Sequence, residues 1–197
     1  VSKPRCRKCG EETTIRDPIR PFPLHRLGPR YILQILQQQP LICIAKSRRL
    51  MATELMCAYA LWCLMFRKGT LAVFQSDIEE KANDNVIRVH GMWERLPEWM
   101  KAKRPANPTK KGGPIDAYFE IPGNHAKLKA IPSGPSKIRE MGPSLYFCDE
   151  AAFHPEANET YKAGRQAIEA GCQAVYVSTA GAGFFSGLYN DSLHAVA

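Results

Sequence analysis

The segment from Leu41 to Phe66 constrains the fold of this chain more than any other. It begins with a short apolar run, Leu41–Ala45, which is typical of a buried strand. A polar and basic turn, Lys46–Arg49, follows, and a long apolar helix opens near Thr53. The apolar run Leu55–Phe66 has 12 residues, whereas a membrane-spanning helix needs roughly 20. We therefore expect a helix buried in a protein core and no membrane partner.

A strand, a phosphate-sized turn and a helix in this order form the frame of a nucleotide-binding P-loop. Most of the usual residues are missing. On the pattern GxxxxGK[ST], Lys46 stands at the first glycine, Met51 at the second glycine and Ala52 at the lysine, and only Thr53 fits. The frame alone therefore leaves open whether this is a phosphate site.

The turn nevertheless carries what a phosphate cradle needs, namely a hydroxyl, positive charge and the free N–H groups of a helix N-terminus. Thr53 provides the hydroxyl. The charge comes from the front of the turn, where Lys46, Arg48 and Arg49 replace the lysine missing from position 52. Three cations directly after a buried strand are hard to explain as solvated surface, so the turn is predicted to bind phosphates.

A second signal lies about a hundred residues further on, where an apolar run ends in Asp149 and Glu150. Phosphoryl transfer from ATP requires a placed Mg²⁺ and an oriented water. Asp149 at the tip of a strand is suited to hold the metal, and Glu150, pointing elsewhere, is suited to take a proton from water. A later apolar strand, Gly171–Val177, runs into Ser178 and Thr179. Together these features strengthen the phosphate-site interpretation.

The remaining pattern predicts an α/β fold with a mostly parallel sheet covered on both faces, because continuous apolar strands alternate with helical segments. A helix is predicted over Arg30–Gln38, and a second over the stripe from Ile78 to Trp93, with Ser76 or Asp77 as N-cap and Pro97 as its end. Further strands are predicted at Leu71–Phe74 and, as a hairpin, at Ala117–Ile121 and Leu128–Ile131.

The chain is basic, with a net charge of +8 over 197 residues. This excess favours a polyanionic partner such as nucleic acid, and a basic solvated surface is the alternative. Lys101–Lys111 carries five positive and no negative residues and predicts an exposed loop that either contacts DNA phosphates or is simply solvated. The 45% hydrophobic content is that of a folded protein.

Seven cysteines are an odd number, and reduced, buried thiols in a cytoplasmic compartment are the simplest explanation. Cys6 and Cys9 form a CxxC turn, which is half of a zinc site. The second half is not visible, since His25 is the only nearby candidate. The alternative is a basic N-terminal arm with free thiols.

The motifs resemble those of the large-subunit terminases of tailed bacteriophages and related viruses. AKSRRLMATE (Ala45–Glu54) resembles their deviant Walker A motif, which has its lysine at the first position. LYFCDEAAF (Leu145–Phe153) resembles their Walker B motif, and VYVSTA (Val175–Ala180) their coupling motif. The segment FEIPGNHAKLKAIPSGP, followed by Arg139, resembles the strand pair before Walker B. Met51 stands where the family usually has glycine, and the CxxC is not a general family feature.

The resemblance implies a P-loop ATPase of the additional-strand, catalytic-glutamate type, using ATP and Mg²⁺. Glu150 would be the catalytic base, Thr53 and Asp149 would hold the metal, and Arg139 would be either an arginine finger acting on a neighbouring subunit or part of a structural salt bridge. The residues that would contact the nucleotide are Lys46, Ser47, Arg48, Arg49, Met51, Ala52, Thr53, Glu54, Ser178 and Thr179.

The implied activity is an ATP-driven motor that moves double-stranded DNA into a procapsid in the host cytoplasm. Its partners would be DNA, the portal protein, the small terminase subunit and neighbouring copies in a ring. Residues 1–16 would form the CxxC arm and residues 17–197 the ATPase domain, without the C-terminal nuclease of the family. The alternatives are a helicase-like translocase, which should carry a second similar domain, and a non-enzymatic DNA-binding module.

Overall fold

The computed structural model describes residues 27–47, 50–101, 118–154, 156–179 and 183–194. Within these ranges strands and helices alternate for most of the chain. The strands are β1 (Leu41–Lys46), β2 (Leu71–Gln75), β3 (Tyr118–Ile121), β4 (Ala126–Ile131), β5 (Leu145–Asp149) and β6 (Gln173–Thr179). The helices are α1 (Leu27–Gln38), α2 (Ala52–Phe66), α3 (Glu79–Glu94), α4 (Ser136–Met141), α5 (Ala157–Glu169) and α6 (Phe184–His194).

The strands form one sheet in the order β1-β6-β5-β2-β4-β3. Every neighbouring pair is parallel except the β3–β4 hairpin, which is antiparallel. The predicted α/β class, with a mostly parallel sheet, is confirmed. Because β1, β6 and β5 are parallel neighbours, their carboxyl ends meet at one edge of the sheet.

Both faces of the sheet are covered, as the continuous apolar strands predicted. Phe74 and Phe147 pack edge to face at 5.1 Å on the face that carries α1, α2 and α3. Tyr146 and Tyr176 pack at 5.7 Å on the opposite face, against α5 and α6. Helix α2 lies on the first face and is buried along most of its circumference, which explains its apolar sequence.

Two helix starts differ from the sequence predictions. Helix α1 begins at Leu27 and includes Pro29, which the first turn of a helix tolerates because its N–H needs no partner there. Helix α3 begins at Glu79 with Ile78 at the N-cap and no side-chain cap, so the prediction of a Ser76 or Asp77 cap is wrong. Asp77 instead accepts hydrogen bonds from Ser76 at 2.9 Å and from Lys81 at 2.8 Å.

Several predictions lie outside the described residues: the CxxC turn with Cys6 and Cys9, the arginines Arg48 and Arg49, and residues 102–111 of the basic loop. Lys101, the first residue of that loop, is described. Its ammonium lies 2.6 Å from Glu98 and 5.5 Å from the centre of the Trp93 ring. None of the described helices is long and apolar enough to cross a membrane.

Candidate nucleotide-binding site

Three strands deliver polar side chains to the same edge of the sheet. Lys46 is the last residue of β1 and lies level with Thr179 of β6 in the strand register. Asp149 is the last residue of β5 and lies level with Val177, one residue before Ser178. The parallel order of the strands therefore gathers residues that are far apart in sequence.

A compact polar cluster joins Lys46, Thr53 and Asp149. The Lys46 Nζ lies 3.0 Å from Asp149 Oδ1 and 3.2 Å from Thr53 Oγ1. The Thr53 hydroxyl donates to Asp149 Oδ2 at 2.9 Å. The side chains of Lys46 and Asp149 are only 11% and 10% exposed. At this burial the ion pair is little screened by solvent, so it holds the turn after β1 against the end of β5.

Glu150 faces the same lysine, because its Oε1 lies 3.6 Å from Lys46 Nζ. The prediction that Glu150 points elsewhere is therefore wrong for Oε1, because Asp149 and Glu150 both contact Lys46. Oε2 is buried and has no hydrogen-bond partner among the described residues. A buried carboxylate oxygen without a partner is costly, and such groups concentrate where a water or ligand completes the site.

The N-terminus of α2 faces this cluster. Its N-cap, Met51, has a left-handed backbone with φ 59° and ψ 26°. A left-handed backbone favours glycine, which explains why the P-loop pattern GxxxxGK[ST] has a glycine at this position. The next residues, Ala52 and Thr53, open the helix, where backbone N–H groups lack partners within the helix. Such N–H groups are suited to phosphate oxygens.

The oxygen donors of the cluster fit Mg²⁺. In proteins this ion is held by one or two carboxylates, with water and substrate phosphates completing the octahedron. Asp149 and the Thr53 hydroxyl already lie 2.9 Å apart. The described residues contain no group of three or more His, Cys, Asp or Glu that would form an all-protein metal site.

Comparison with solved structures identifies the fold. The chain aligns with a mutant of the large-terminase ATPase domain of Thermus phage P74-26 at a TM-score of 0.65 and 16% identity, covering 83% of this chain and 69% of that one. It aligns with the large terminase of phage HK97 at a TM-score of 0.66 and 16% identity, covering 92% and 38%. This is the fold of a large-terminase ATPase domain.

A third terminase shares this fold. It comes from a thermophilic bacteriophage, was solved in complex with ADP, and aligns at a TM-score of 0.56 and 13% identity, covering 77% of this chain and 38% of that one. No family model and no curated protein matches the sequence. The chain thus has the terminase ATPase fold and spans 38% of the length of these longer terminases.

Within the terminase fold, Ser178 has a structural contact that the sequence did not predict. The residue is fully buried, and its Oγ accepts a hydrogen bond of 3.1 Å from the backbone N–H of Ala152. This bond connects the end of β6 to the turn that follows Glu150. Thr179, the last residue of β6, is half-buried beside Lys46. Both residues lie at the edge of the sheet that carries Lys46 and Asp149.

The other predicted residues that the structure describes make no hydrogen bond to the Lys46, Thr53 or Asp149 side chains. Ser47 is exposed and accepts a backbone hydrogen bond from Leu50 at 3.3 Å. Glu54 points toward α3, where its carboxylate lies 3.8 Å from Arg88. Arg139 lies on α4, is exposed, and forms no salt bridge within the part of the chain that the structure describes.

Sequence reasoning missed two buried residues, His154 and Gln75. The His154 Nε2 lies 3.1 Å from the Asp149 carbonyl, and Gln75, at the end of β2, is fully buried. Burial lowers the pKa of His154 below its usual value, although the hydrogen bond to Asp149 opposes the shift. Neither residue belongs to a recognisable motif, so only the folded arrangement reveals them.

Proposed function

We propose that this chain is an ATP-hydrolysing motor domain that drives double-stranded DNA into a viral procapsid. The observation that carries the proposal is the convergence of Lys46, Thr53, Asp149 and Glu150 at the N-terminus of α2. This combination contains a cation, a hydroxyl, a metal-binding carboxylate and a second carboxylate, which phosphoryl transfer to water requires. The terminase fold and the ADP complex of one fold relative support the same conclusion.

In this proposal the N–H groups at the start of α2 and the Lys46 ammonium bind the β- and γ-phosphates of ATP. Thr53 and Asp149 would hold Mg²⁺, which when bound supplies neutralisation of the charge on the phosphate oxygens. Lys46 now pairs with Asp149 at 3.0 Å. Once a metal cation compensates Asp149, Lys46 is free to turn to the phosphates. The residue thus exchanges one negative partner for another.

Glu150 acts as the general base in this proposal. Its buried Oε2 has no protein partner among the described residues, which leaves it available to a water molecule. Removing a proton from that water as it attacks the γ-phosphorus is worth about 10²–10⁴ in rate. Ser178 would report the loss of the γ-phosphate to the turn after Glu150 through the hydrogen bond that it accepts from Ala152, and Thr179, the next residue of β6, would act with it.

Arg139 is proposed as an arginine finger that acts on a neighbouring copy. The side chain is exposed and without a salt bridge in the described residues, so it is available to a second subunit. A finger supplied by a neighbour contributes about 10³–10⁵ in rate. The proposed partners are therefore copies of this chain in a ring, with DNA, the portal protein and the small terminase subunit, all in the host cytoplasm.

The decisive experiment compares Glu150→Gln with Glu80→Gln, a control at an exposed position of α3. Phosphate release from Mg²⁺-ATP is measured with procapsids and DNA present, together with DNA protected from nuclease. We expect Glu150→Gln to bind ATP normally while losing phosphate release by at least about 100-fold, since the general base is gone. Undiminished release in Glu150→Gln would overturn Glu150 as the general base. No phosphate release by the wild-type chain, together with ATP-independent, salt-sensitive DNA binding, would overturn the ATPase and support a non-enzymatic DNA-binding module.

A further inference from the structure

His154 is the first residue after the short 3₁₀ turn Ala151–Phe153 that follows Glu150. Its ring is buried, with 5% exposure. The Nε2 atom lies 3.1 Å from the Asp149 backbone oxygen, which can only accept a hydrogen bond. Nε2 also lies 3.5 Å from the Cys148 sulfur, but its shorter contact is with an oxygen that cannot donate, so the proton is assigned to Nε2. In the neutral ring Nδ1 is then an acceptor, and it lies 3.3 Å from the Ser133 hydroxyl.

The Asp149 carbonyl lies at the end of β5, where pairing with β6 continues through Asp149 opposite Val177 but pairing with β2 has already ended. Strand β5 pairs with β2 only as far as Cys148, which lies opposite Gln75. Asp149 is one residue beyond this ladder, and Glu150 leaves the strand with a left-handed backbone, φ 51°. A buried carbonyl at the end of a ladder needs a partner. His154 provides one at the peptide that joins the two carboxylate residues.

The other side of the ring contacts a loop that is itself firmly held. The side-chain amide of Gln75 donates to the carbonyls of Pro132 and Gly134, at 2.6 and 2.9 Å, on either side of Ser133. The carbonyl oxygen of the same amide accepts a hydrogen bond from the Tyr146 hydroxyl. Ser133 is therefore held through the end of β2. His154 in turn connects this fixed point to the peptide between Asp149 and Glu150.

We propose that His154 is a positioning residue that orients the Glu150 carboxylate for its reaction with water. The inference rests on the proposed ATPase function. Glu150 lies beyond the end of β5 and has a left-handed backbone, so no strand pairing fixes its orientation. The hydrogen bond from His154 to the Asp149 carbonyl fixes the direction in which the chain leaves β5, and with it the direction of the Glu150 side chain. Supporting hydrogen bonds of this kind typically change activity by about 10–100-fold. ATP binding depends on Lys46 and the start of α2, and is expected to stay unchanged.

The test uses His154→Phe, which keeps a ring but has no donor, His154→Gln, which keeps an N–H donor, and Ser133→Ala. The matched control is His90→Phe, because His90 is a half-buried histidine on α3 that packs on Trp93 and Phe119. The kcat and KM for Mg²⁺-ATP are measured on full-length chains, with the melting temperature. We expect kcat to fall about 10–100-fold in His154→Phe, with KM changed less than about threefold, and to recover in large part in His154→Gln.

Ser133→Ala keeps the inference testable if the His154→Phe chain does not fold. We expect it to lower kcat severalfold at unchanged KM. Nitrogen chemical shifts of the His154 ring provide a readout without turnover: we expect the Nε2–H tautomer, with a shift at Nδ1 in Ser133→Ala. An Nδ1–H tautomer would overturn the inference. So would a kcat in all three variants no lower than in His90→Phe, or a KM that rises in step with the loss of kcat. A wild-type chain without ATP turnover would overturn the proposed function itself.

Discussion

The ammonium nitrogen of Lys46 lies 3.0 Å from the Asp149 carboxylate, although 103 positions separate the two residues. This contact joins the turn after β1 to the end of β5. Lys46 occupies the position at which the P-loop pattern GxxxxGK[ST] has its first glycine. The displaced lysine therefore still reaches the carboxylate that we propose as a metal ligand.

Replacing Lys46 with alanine should weaken ATP binding. A hydrogen bond to a charged partner contributes about 1.5–3 kcal/mol, so we expect an affinity loss of roughly 10–100-fold. Calorimetric titration with Mg²⁺-ATP measures it, and Lys68→Ala, at an exposed position after α2, is the control. Alanine at position 46 also leaves two carboxylates without their cation, so added Mg²⁺ should raise the melting temperature more in this variant than in the wild type. Equal ATP affinity in Lys46→Ala and Lys68→Ala would contradict the assignment.

Glycine at position 51 should relieve backbone strain. Met51 has φ 59°, and a left-handed conformation costs a residue with a side chain roughly 1–2 kcal/mol. Comparison of Met51→Gly with Met51→Ala separates this cost from side-chain packing, because both remove the methionine and only glycine relieves the strain. We expect Met51→Gly to be the more stable of the two by about 1 kcal/mol in urea unfolding, since glycine also loses more entropy on folding. An alanine variant as stable as the glycine variant would rule out strain at this turn.

Gly164 of α5 should not tolerate a side chain. A Cβ there would overlap the Tyr176 hydroxyl, which is itself buried without a hydrogen-bond partner in the described residues. Overpacking of this kind costs about 1–3 kcal/mol, so Gly164→Ala should lower the free energy of unfolding by that amount. Tyr176→Phe removes the clashing atom and should restore most of the loss in the double variant. Additive effects in this double-mutant cycle would show that the two groups do not meet.

Four buried cysteines should react slowly with alkylating reagents in the native chain. Burial raises the pKa of Cys57 and of Cys148 to about 12, so neither forms thiolate readily near pH 8. Burial likewise raises the pKa of Cys43 to about 12 and that of Cys172 to about 11. We expect these four to alkylate slowly in the native chain and faster as the pH rises toward those values. Their fast alkylation at pH 8 would contradict the buried sites.

The same experiment tests zinc at Cys6 and Cys9. Alkylation with iodoacetamide is followed by peptide mapping, with and without a strong chelator, and zinc content is measured in parallel. If both thiols resist alkylation until the chelator is added, and the chelator releases bound zinc, the result would support the zinc half-site that the sequence predicts. Equal labelling with and without chelator, in a chain free of zinc, would favour the alternative of free thiols.

Local signals were enough to predict most of the strands. Leu41–Ala45 and Leu71–Phe74 were each placed within one residue of their observed ends, because a continuous apolar run between polar turns is a local property. The predicted N-cap of α3 was wrong. Asp77 is a common N-cap residue, but in this fold its carboxylate pairs with Lys81, and the helix begins two residues later at Glu79.

The candidate site likewise combines features that the sequence predicts with features that depend on the fold. The residue types at Lys46, Thr53, Asp149 and Glu150 were readable from the sequence, because phosphate and Mg²⁺ chemistry requires those groups at the ends of strands and the start of a helix. That Lys46 faces both carboxylates was not readable, since it depends on the order β1-β6-β5 in the sheet. Sequence spacing does not specify strand order.

The sequence by itself thus determined the alternation of strands and helices and the chemistry available at their ends, because these follow from local hydrophobic pattern and side-chain type. The tertiary structure alone decided which ends meet. It placed Lys46 against Asp149, left an oxygen of Glu150 without a partner among the described residues, and put His154 behind the peptide between the two carboxylates. Such contacts between distant residues depend on how the strands pair and the helices pack, which no local segment encodes.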